Sequence, residues 1–414
     1  MTIRLPAPDG RSHPYTPRAE PVRVAPPGRL TSRTVFAAAH VVANPYASPY
    51  PSPYPSLGPP PQPPSGLPSG SSPGPHLGAA PATVSAIDWD TTLAFRRHLW
   101  SYGLGVAEAM DTAQRGMGLE WPAAAELIRR SAAEARAVGG RIACGVGTDQ
   151  LTGPADLATV RRAYEEQLAT VEEAGAQPIL MASRALVTAA RGPEDYLALY
   201  GELLRQSSRP VILHWLGPMF DPALDGYWGS TDLSTATTTF LQIVTDTADK
   251  VDGVKISLLD AGREIDLRRR LPAGVRCFTG DDFHYPELIA GDERGFSHAL
   301  LGVFDPLGPL AADAVRALDA GDTDGFRARL DPTVELARHL FQPPTRHYKT
   351  GVVLLAWLAG HQSHFTMVGG HQSARSLPHL ATAYELADRI GLFPDPALAE
   401  SRMRSLLTVY GVDA

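Results

Sequence analysis

Lysine occurs at only three positions in this chain, 250, 255 and 349, and arginine supplies every other fixed positive side chain. Lys255 interrupts the run Val251-Asp252-Gly253-Val254-Lys255-Ile256-Ser257, which otherwise reads as a buried strand. An ammonium group in such a strand must be paired or neutralised, and neutralisation makes an amine nucleophilic. Arginine cannot form a Schiff base, whereas lysine can. The placement therefore predicts amine chemistry at Lys255, against a plainer reading as a structural ion pair with Asp252 or Asp281.

Other polar residues fall where apolar runs end: His40, Glu108, Asp111, Thr112, Thr148, Asp149, Ser183, Arg184, His214, Ser257, Asp281, Asp282 and His298. His214, with an ordinary pKa of about 6.5, is a candidate general acid/base. Asp111, Thr112, Ser257, Asp282 and His298 are candidates for orienting substrate hydroxyls. Each has an alternative. The histidines also read as hydrogen-bonded core residues, Asp111 as a loop cap or a partner of Arg115, and Asp281-Asp282 as the cap of a helix starting near Tyr285. Lys349 reads as a solvated residue in the first turn of a helix. His361 and His364, three apart, together with His371, suggest a metal site only weakly. With no carboxylate at ligand spacing, a surface or interface role is the expectation.

The elements that must position these residues alternate. Strands are predicted over 34–42, 104–110, 141–147, 177–182, 210–216, 251–257, 275–279 and 295–302. Helical patterns lie at 91–102, 119–138, 154–174, 192–207, 231–249 and 306–320. The strands lack polar alternation, as in a parallel sheet covered by helices. Eight such units predict an α/β fold, a (β/α)8 TIM barrel over 29–320, whose catalytic groups gather at the C-terminal ends of the strands. No Gly-rich dinucleotide loop follows the first strand, which disfavours a doubly wound sheet. Residues 1–28 are Pro/Arg-rich and are expected to form a loose N-terminal arm. The segment 45–82 holds 14 prolines and reads as an extended insertion after strand 1, with docking of a polyproline-binding partner as the less favoured use. Residues 321–414 read as a C-terminal helical extension, with patterns at 322–340, 348–362, 377–392 and 395–411.

The net charge of −7, without a long basic stretch, argues against nucleic acid as a partner. Cys144 and Cys277 lie in apolar runs and read as reduced core residues. There is no apolar signal core at the N-terminus, and the longest apolar run, near 352–359, is too short to span a bilayer. A cytoplasmic protein without membrane partners is expected.

The order of these motifs resembles the dihydrodipicolinate synthase and N-acetylneuraminate lyase superfamily. Gly253-Val254-Lys255 is similar to that superfamily's sixth strand, where a Schiff-base lysine follows a Gly-hydrophobic pair. Phe278-Thr279-Gly280-Asp281-Asp282 resembles its strand-7 Gly-Asp-Asp loop, Pro210-Val211-Ile212-Leu213-His214 its strand 5, and Cys144-Gly145-Val146-Gly147 the end of its strand 3. The resemblance covers residues 30–320 and looks like a divergent, uncharacterised branch. Two departures stand out. His214 occupies or neighbours the place of the usual strand-5 tyrosine, and Asp111-Thr112 stands for the usual Thr-Thr pair that holds a substrate carboxylate. An anionic Asp111 would repel such a carboxylate unless a cation offsets it.

The resemblance implies a lyase or aldolase, or a dehydratase, acting through Lys255 on a small, hydroxylated keto or aldehyde compound. It implies no cofactor or metal, and a homo-oligomer as the usual assembly. An acidic strand-7 and strand-8 region (Asp281, Asp282, Asp305) disfavours a phosphorylated substrate. The alternative is a metal-dependent barrel hydrolase, isomerase or aldolase using His40, Glu108, His214 and Asp282. A non-enzymatic barrel recruiting partners through its Pro-rich segment is the third reading.

Overall fold

The structure is a computed structural model that describes residues 2–18, 20–24, 28–47 and 86–412. Most of the Pro-rich segment anticipated at 45–82 lies outside the described residues. Eight parallel strands close into a barrel: β1 (Val35–Ala38), β2 (Gly105–Glu108), β3 (Ile142–Val146), β4 (Gln177–Leu180), β5 (Val211–Leu216), β6 (Val251–Ser257), β7 (Arg276–Thr279) and β8 (His298–Leu301). β8 pairs with β1 to complete the ring. All eight fall within the predicted runs, and the (β/α)8 TIM barrel is the observed fold.

Side chains of successive strand residues point to opposite faces. Val254 and Ile256 of β6 therefore join the layer between strands and helices, while Lys255 and Ser257 face the barrel cavity. Beneath them the interior is filled by Phe36, Ala107, Ala143, Ile179, Ile212, Phe278 and Leu300. Two glycines admit the aromatic members. A Cβ at Gly105 would stand 2.5 Å from the Phe36 ring, and one at Gly253 2.6 Å from the Phe278 ring. These rings meet edge-to-face with centroids 6.0 Å apart, closing the barrel below the lysine.

The connecting helices follow the expected pattern, with two additions. Arg184–Ala189 follows β4, and Ala261–Arg268 lies between β6 and β7. The second buries only Glu264 and Leu267, so its charged sequence carries little helical periodicity. After the barrel, helices Thr323–Leu330, Val334–Leu340, Tyr348–Leu358, Leu377–Arg389 and Pro396–Val409 pack in one apolar cluster with Phe304 and Leu307 of the helix after β8. Among the described residues no helix is long and apolar enough to cross a membrane.

The N-terminal segment differs from the loose arm expected. Ile3–Pro6 pairs antiparallel with Ser12–Tyr15, and Ile3 and Leu5 are fully buried. Tyr15 donates to Asp388 Oδ2 at 2.6 Å, tying the hairpin to the helix Leu377–Arg389. Alternation of Ile3 and Leu5 with polar neighbours is the strand signal that the proline and arginine content obscured.

Candidate active site

Above the Phe36/Phe278 layer a cavity of about 570 Å³ opens at the C-terminal ends of the strands. Lys255, His214, Ser257, Asp111, Thr112 and Asp282 all line it. Lys255 is only 8% exposed. Among the described residues no carboxylate lies within ion-pair distance of its amine. Asp252 is taken by Arg276, and Asp281 by His284 at 2.9 Å, so neither gives the structural pair considered from sequence. Burial pulls the Lys255 pKa down to about 8, against the opposing charges of Asp282 and Asp111. About a tenth of the amine is therefore free at pH 7, far more than for a lysine of ordinary pKa.

Asp282 accepts a hydrogen bond from Val303 N at 2.9 Å, and burial pushes its carboxyl up to about 7. It is thus a carboxyl poised to exchange a proton in the same pH range as the lysine. Asp281, its neighbour, accepts from Phe283 N and His284 N and shapes the turn instead.

His214 stands directly across from Lys255 in the β5–β6 register and is hydrogen-bonded through Nε2 to Ser257 Oγ at 3.1 Å. Burial, reinforced by the Lys255 charge, holds its pKa well below 6.5. The imidazole is neutral at physiological pH, so of the general acid/base role expected of it the acid half is disfavoured, and orienting Ser257 suits it. Gly280 makes room for this group. A Cβ there would overlap Ser257 Oγ and stand 2.8 Å from Lys255 Cε.

The loop after β2 carries Asp111 and Thr112 on a single 3-10 turn, Asp111–Ala113. It is held from below by buried charges. Glu108 forms a bidentate pair with Arg96 at 2.9 Å, and its Oε1 also accepts from Ala109 N, whose residue adopts φ +52°. Arg115 donates to Ala109 O, Gly145 O and Gln167 Oε1 and pairs with Asp149. Arg115 therefore does not pair with Asp111.

The cation beside Asp111 comes from the C-terminal extension. Lys349 donates to Asp111 Oδ1 at 2.8 Å, and its side chain is wholly buried. The expectation of a solvated first-turn residue fails because the helix Tyr348–Leu358 buries residues on all sides, leaving only Trp357 partly exposed. A helix that is apolar all round is a buried helix, and this was the available signal. Its neighbour Tyr348 was also missed. The Tyr348 hydroxyl shares a hydrogen bond with Thr112 Oγ1 at 2.7 Å inside the cavity, and its ring stacks on Phe341 with centroids 4.1 Å apart. Burial and the nearby Asp111 charge push the phenol well above 10, so it stays protonated.

His298 does not belong to the site. β8 begins at His298, so this residue lies at the opposite, N-terminal mouth, where its Nδ1 accepts from Thr34 N at 2.9 Å. Gly302 lines the cavity from this strand instead. The four donors of the metal-dependent alternative do not converge either. His40 is bonded to Asp305 at 2.8 Å and to Gln362, Glu108 to Arg96, His214 to Ser257, and Asp282 to Val303. Among the described residues no group of three or more His, Cys, Asp or Glu side chains is placed to hold an ion. His361 and His364 do not share a helix face, because the helix ends at Leu358. His361 packs against His98 and Phe95, with centroids 4.4 and 5.1 Å away, rather than at the surface.

Residues 73–412 match the model of a family described as a protein of unknown function, DUF993. The chain belongs to the DUF993 family. No curated protein matches the sequence. Similarity to solved structures extends this DUF993 chain's relationships at the level of fold. Dihydrodipicolinate synthase from Aquifex aeolicus is 12% identical, over 92% of this chain and 98% of its own, with a TM-score of 0.58. The enzyme from Thermotoga maritima is 12% identical over 87% and 99%, with a TM-score of 0.59. YagE from E. coli K12, a prophage protein of the dihydrodipicolinic acid synthase family solved with pyruvate, is 13% identical over 74% and 93%, at 0.60. This DUF993 protein shares the barrel fold of these dihydrodipicolinate synthase structures, the fold that the ordered motifs implied.

Proposed function

We propose that the protein is a Schiff-base-forming lyase or aldolase that acts through Lys255 on a small, hydroxylated keto or aldehyde compound. The observation that carries this reading is the Lys255 amine. It is buried, without an ion-pair partner among the described residues, lowered to about pKa 8, and directed into a cavity lined by hydroxyl and carboxyl groups. The likeness in fold to pyruvate-binding YagE supports it.

In this mechanism the free Lys255 amine adds to the substrate carbonyl, and loss of water leaves an iminium. The electron pair of the breaking C–C bond flows into the iminium and gives an enamine, while a proton leaves the substrate hydroxyl that becomes the released carbonyl. Asp282, near pKa 7, accepts that proton. Protonation of the enamine carbon and hydrolysis return the amine and release the second product. Tyr348, protonated and coupled to Thr112, is placed to donate. It would fill the part left open by the missing strand-5 tyrosine. His214 and Ser257 orient the substrate as a neutral hydrogen-bonded pair. Because Lys349 offsets Asp111, a substrate carboxylate is admissible, and keto acids join neutral sugars as candidates. Self-association and a cytoplasmic location belong to the same proposal.

The test is turnover. Wild-type protein and Lys255→Met are incubated with hydroxylated keto acids and keto sugars, and carbonyl products are followed. Cleavage by wild type alone supports the reading; equal activity in the variant refutes it.

A further inference from the structure

A second cavity, of about 480 Å³, lies at the N-terminal mouth of the barrel, the end opposite Lys255. Four arginines line it, one from a strand and three from the segments that lead into strands. Arg29 precedes β1, Arg141 immediately precedes β3, Arg209 stands two residues before β5, and Arg276 opens β7. All four side chains line this one concavity, so their guanidinium groups surround the same space. Among the described residues, one carboxylate lines this cavity, Asp252. It is already engaged by Arg276 and by Gln177 Nε2 at 2.9 Å.

Among the described residues, Arg29, Arg141 and Arg209 have no carboxylate within ion-pair distance, so positive charge exceeds negative around the cavity. Elsewhere the chain pairs its arginines freely, as at Arg96–Glu108 and Arg115–Asp149. An excess of positive charge around one concavity attracts a multivalent anion. Burial, with the Arg276 and Arg29 charges, lowers the Arg141 pKa, against the opposing charge of Asp252. Planar guanidinium forks match pairs of oxygens on phosphoryl and carboxylate groups, which suits them to such a ligand better than ammonium groups. Thr34 and Gln177 add polar groups at the wall, and Phe36 separates this cavity from the interior below Lys255.

We infer that this arginine-lined cavity is a second ligand site, which takes a compact multivalent oxyanion, a phosphoryl compound or a polycarboxylate. The inference is independent of the reaction proposed at Lys255.

The test is calorimetric titration of the full chain with pyrophosphate and with citrate, at ionic strength held constant with sodium chloride. Saturable one-to-one binding is expected. It should weaken on the order of tenfold or more in Arg141→Gln/Arg209→Gln, because the variant removes two charge-assisted donors from the anion. Lys255→Met should bind as wild type does, separating this site from the catalytic cavity. Arg141 and Arg209 both retain solvent exposure, so the fold should survive, and Arg29→Gln gives an independent check. Preference for pyrophosphate assigns the phosphoryl class, and preference for citrate assigns the polycarboxylates. No saturable binding of either, or equal affinity in wild type and the arginine variants, overturns the inference.

Discussion

Lys349 donates to Asp111 across 2.8 Å, so the C-terminal extension supplies a buried cation to the mouth of the barrel. The two residues are 238 positions apart. The pair changes the electrostatics of the candidate site, because Asp111 no longer presents an unbalanced negative charge to a bound carboxylate. It also joins the extension to the chemistry, since Tyr348 arrives on the same helical turn.

The pair should be asymmetric in stability. The Lys349 side chain is fully buried, whereas that of Asp111 is 37% exposed. Asp111→Asn leaves a buried ammonium without a counter-charge and should cost about 3 kcal/mol. Lys349→Met leaves a partly hydrated carboxylate and should cost about 1 kcal/mol. Urea midpoints of the two variants, with unchanged slopes, measure the difference; a larger loss for Lys349→Met would contradict the assignment.

Tyr348→Phe removes the hydroxyl that meets Thr112 but keeps the ring stacked on Phe341. Turnover should fall by about a hundredfold, as expected for loss of a positioned proton donor. Imine formation at Lys255 should persist. A variant with full turnover would remove Tyr348 from the mechanism.

The fold was legible because each barrel strand is a short apolar run between turn signals, and Lys255 stood out as a lysine within one of them. The partners of the site were less legible. Tyr348 and Lys349 reach it by packing of a distant helix, which no local spacing encodes. His298 was misplaced because Gly295, Phe296 and Ser297 precede the strand rather than open it, and Ala299-Leu300-Leu301 does not reveal which mouth its flanking residues face. His214 lines the cavity it was expected to line, but the lowering of its pKa by burial was not legible, since the depth of burial cannot be read from a strand sequence.

The pH dependence of Lys255 follows from its lowered pKa. Trapping of a carbonyl compound should rise with pH and level off above about pH 8, where the free amine becomes dominant. A lysine with its ordinary value of 10.5 would still be gaining at pH 9 to 10. The same shift has a consequence for stability. Between about pH 8 and 10.5 the unfolded chain holds a proton that the folded lysine has released, so this group's contribution to stability increases with pH across that window. Stopped-flow trapping rates and denaturant midpoints over that range test both statements.

Gly280→Ala places a methyl group against Ser257 Oγ and Lys255 Cε. Displacement of both side chains should slow imine formation while costing about 1–3 kcal/mol of stability. Wild-type trapping rates in this variant would show that the tight approach at Gly280 does not position the amine.

The most direct measurement is borohydride reduction of the protein in the presence of pyruvate and a panel of keto sugars, followed by peptide mapping. The account predicts a reduced adduct on the peptide carrying Lys255, its absence in Lys255→Met, and no modification of Lys250 or Lys349. Absence of any adduct across the panel, or an adduct that persists in Lys255→Met, would contradict it.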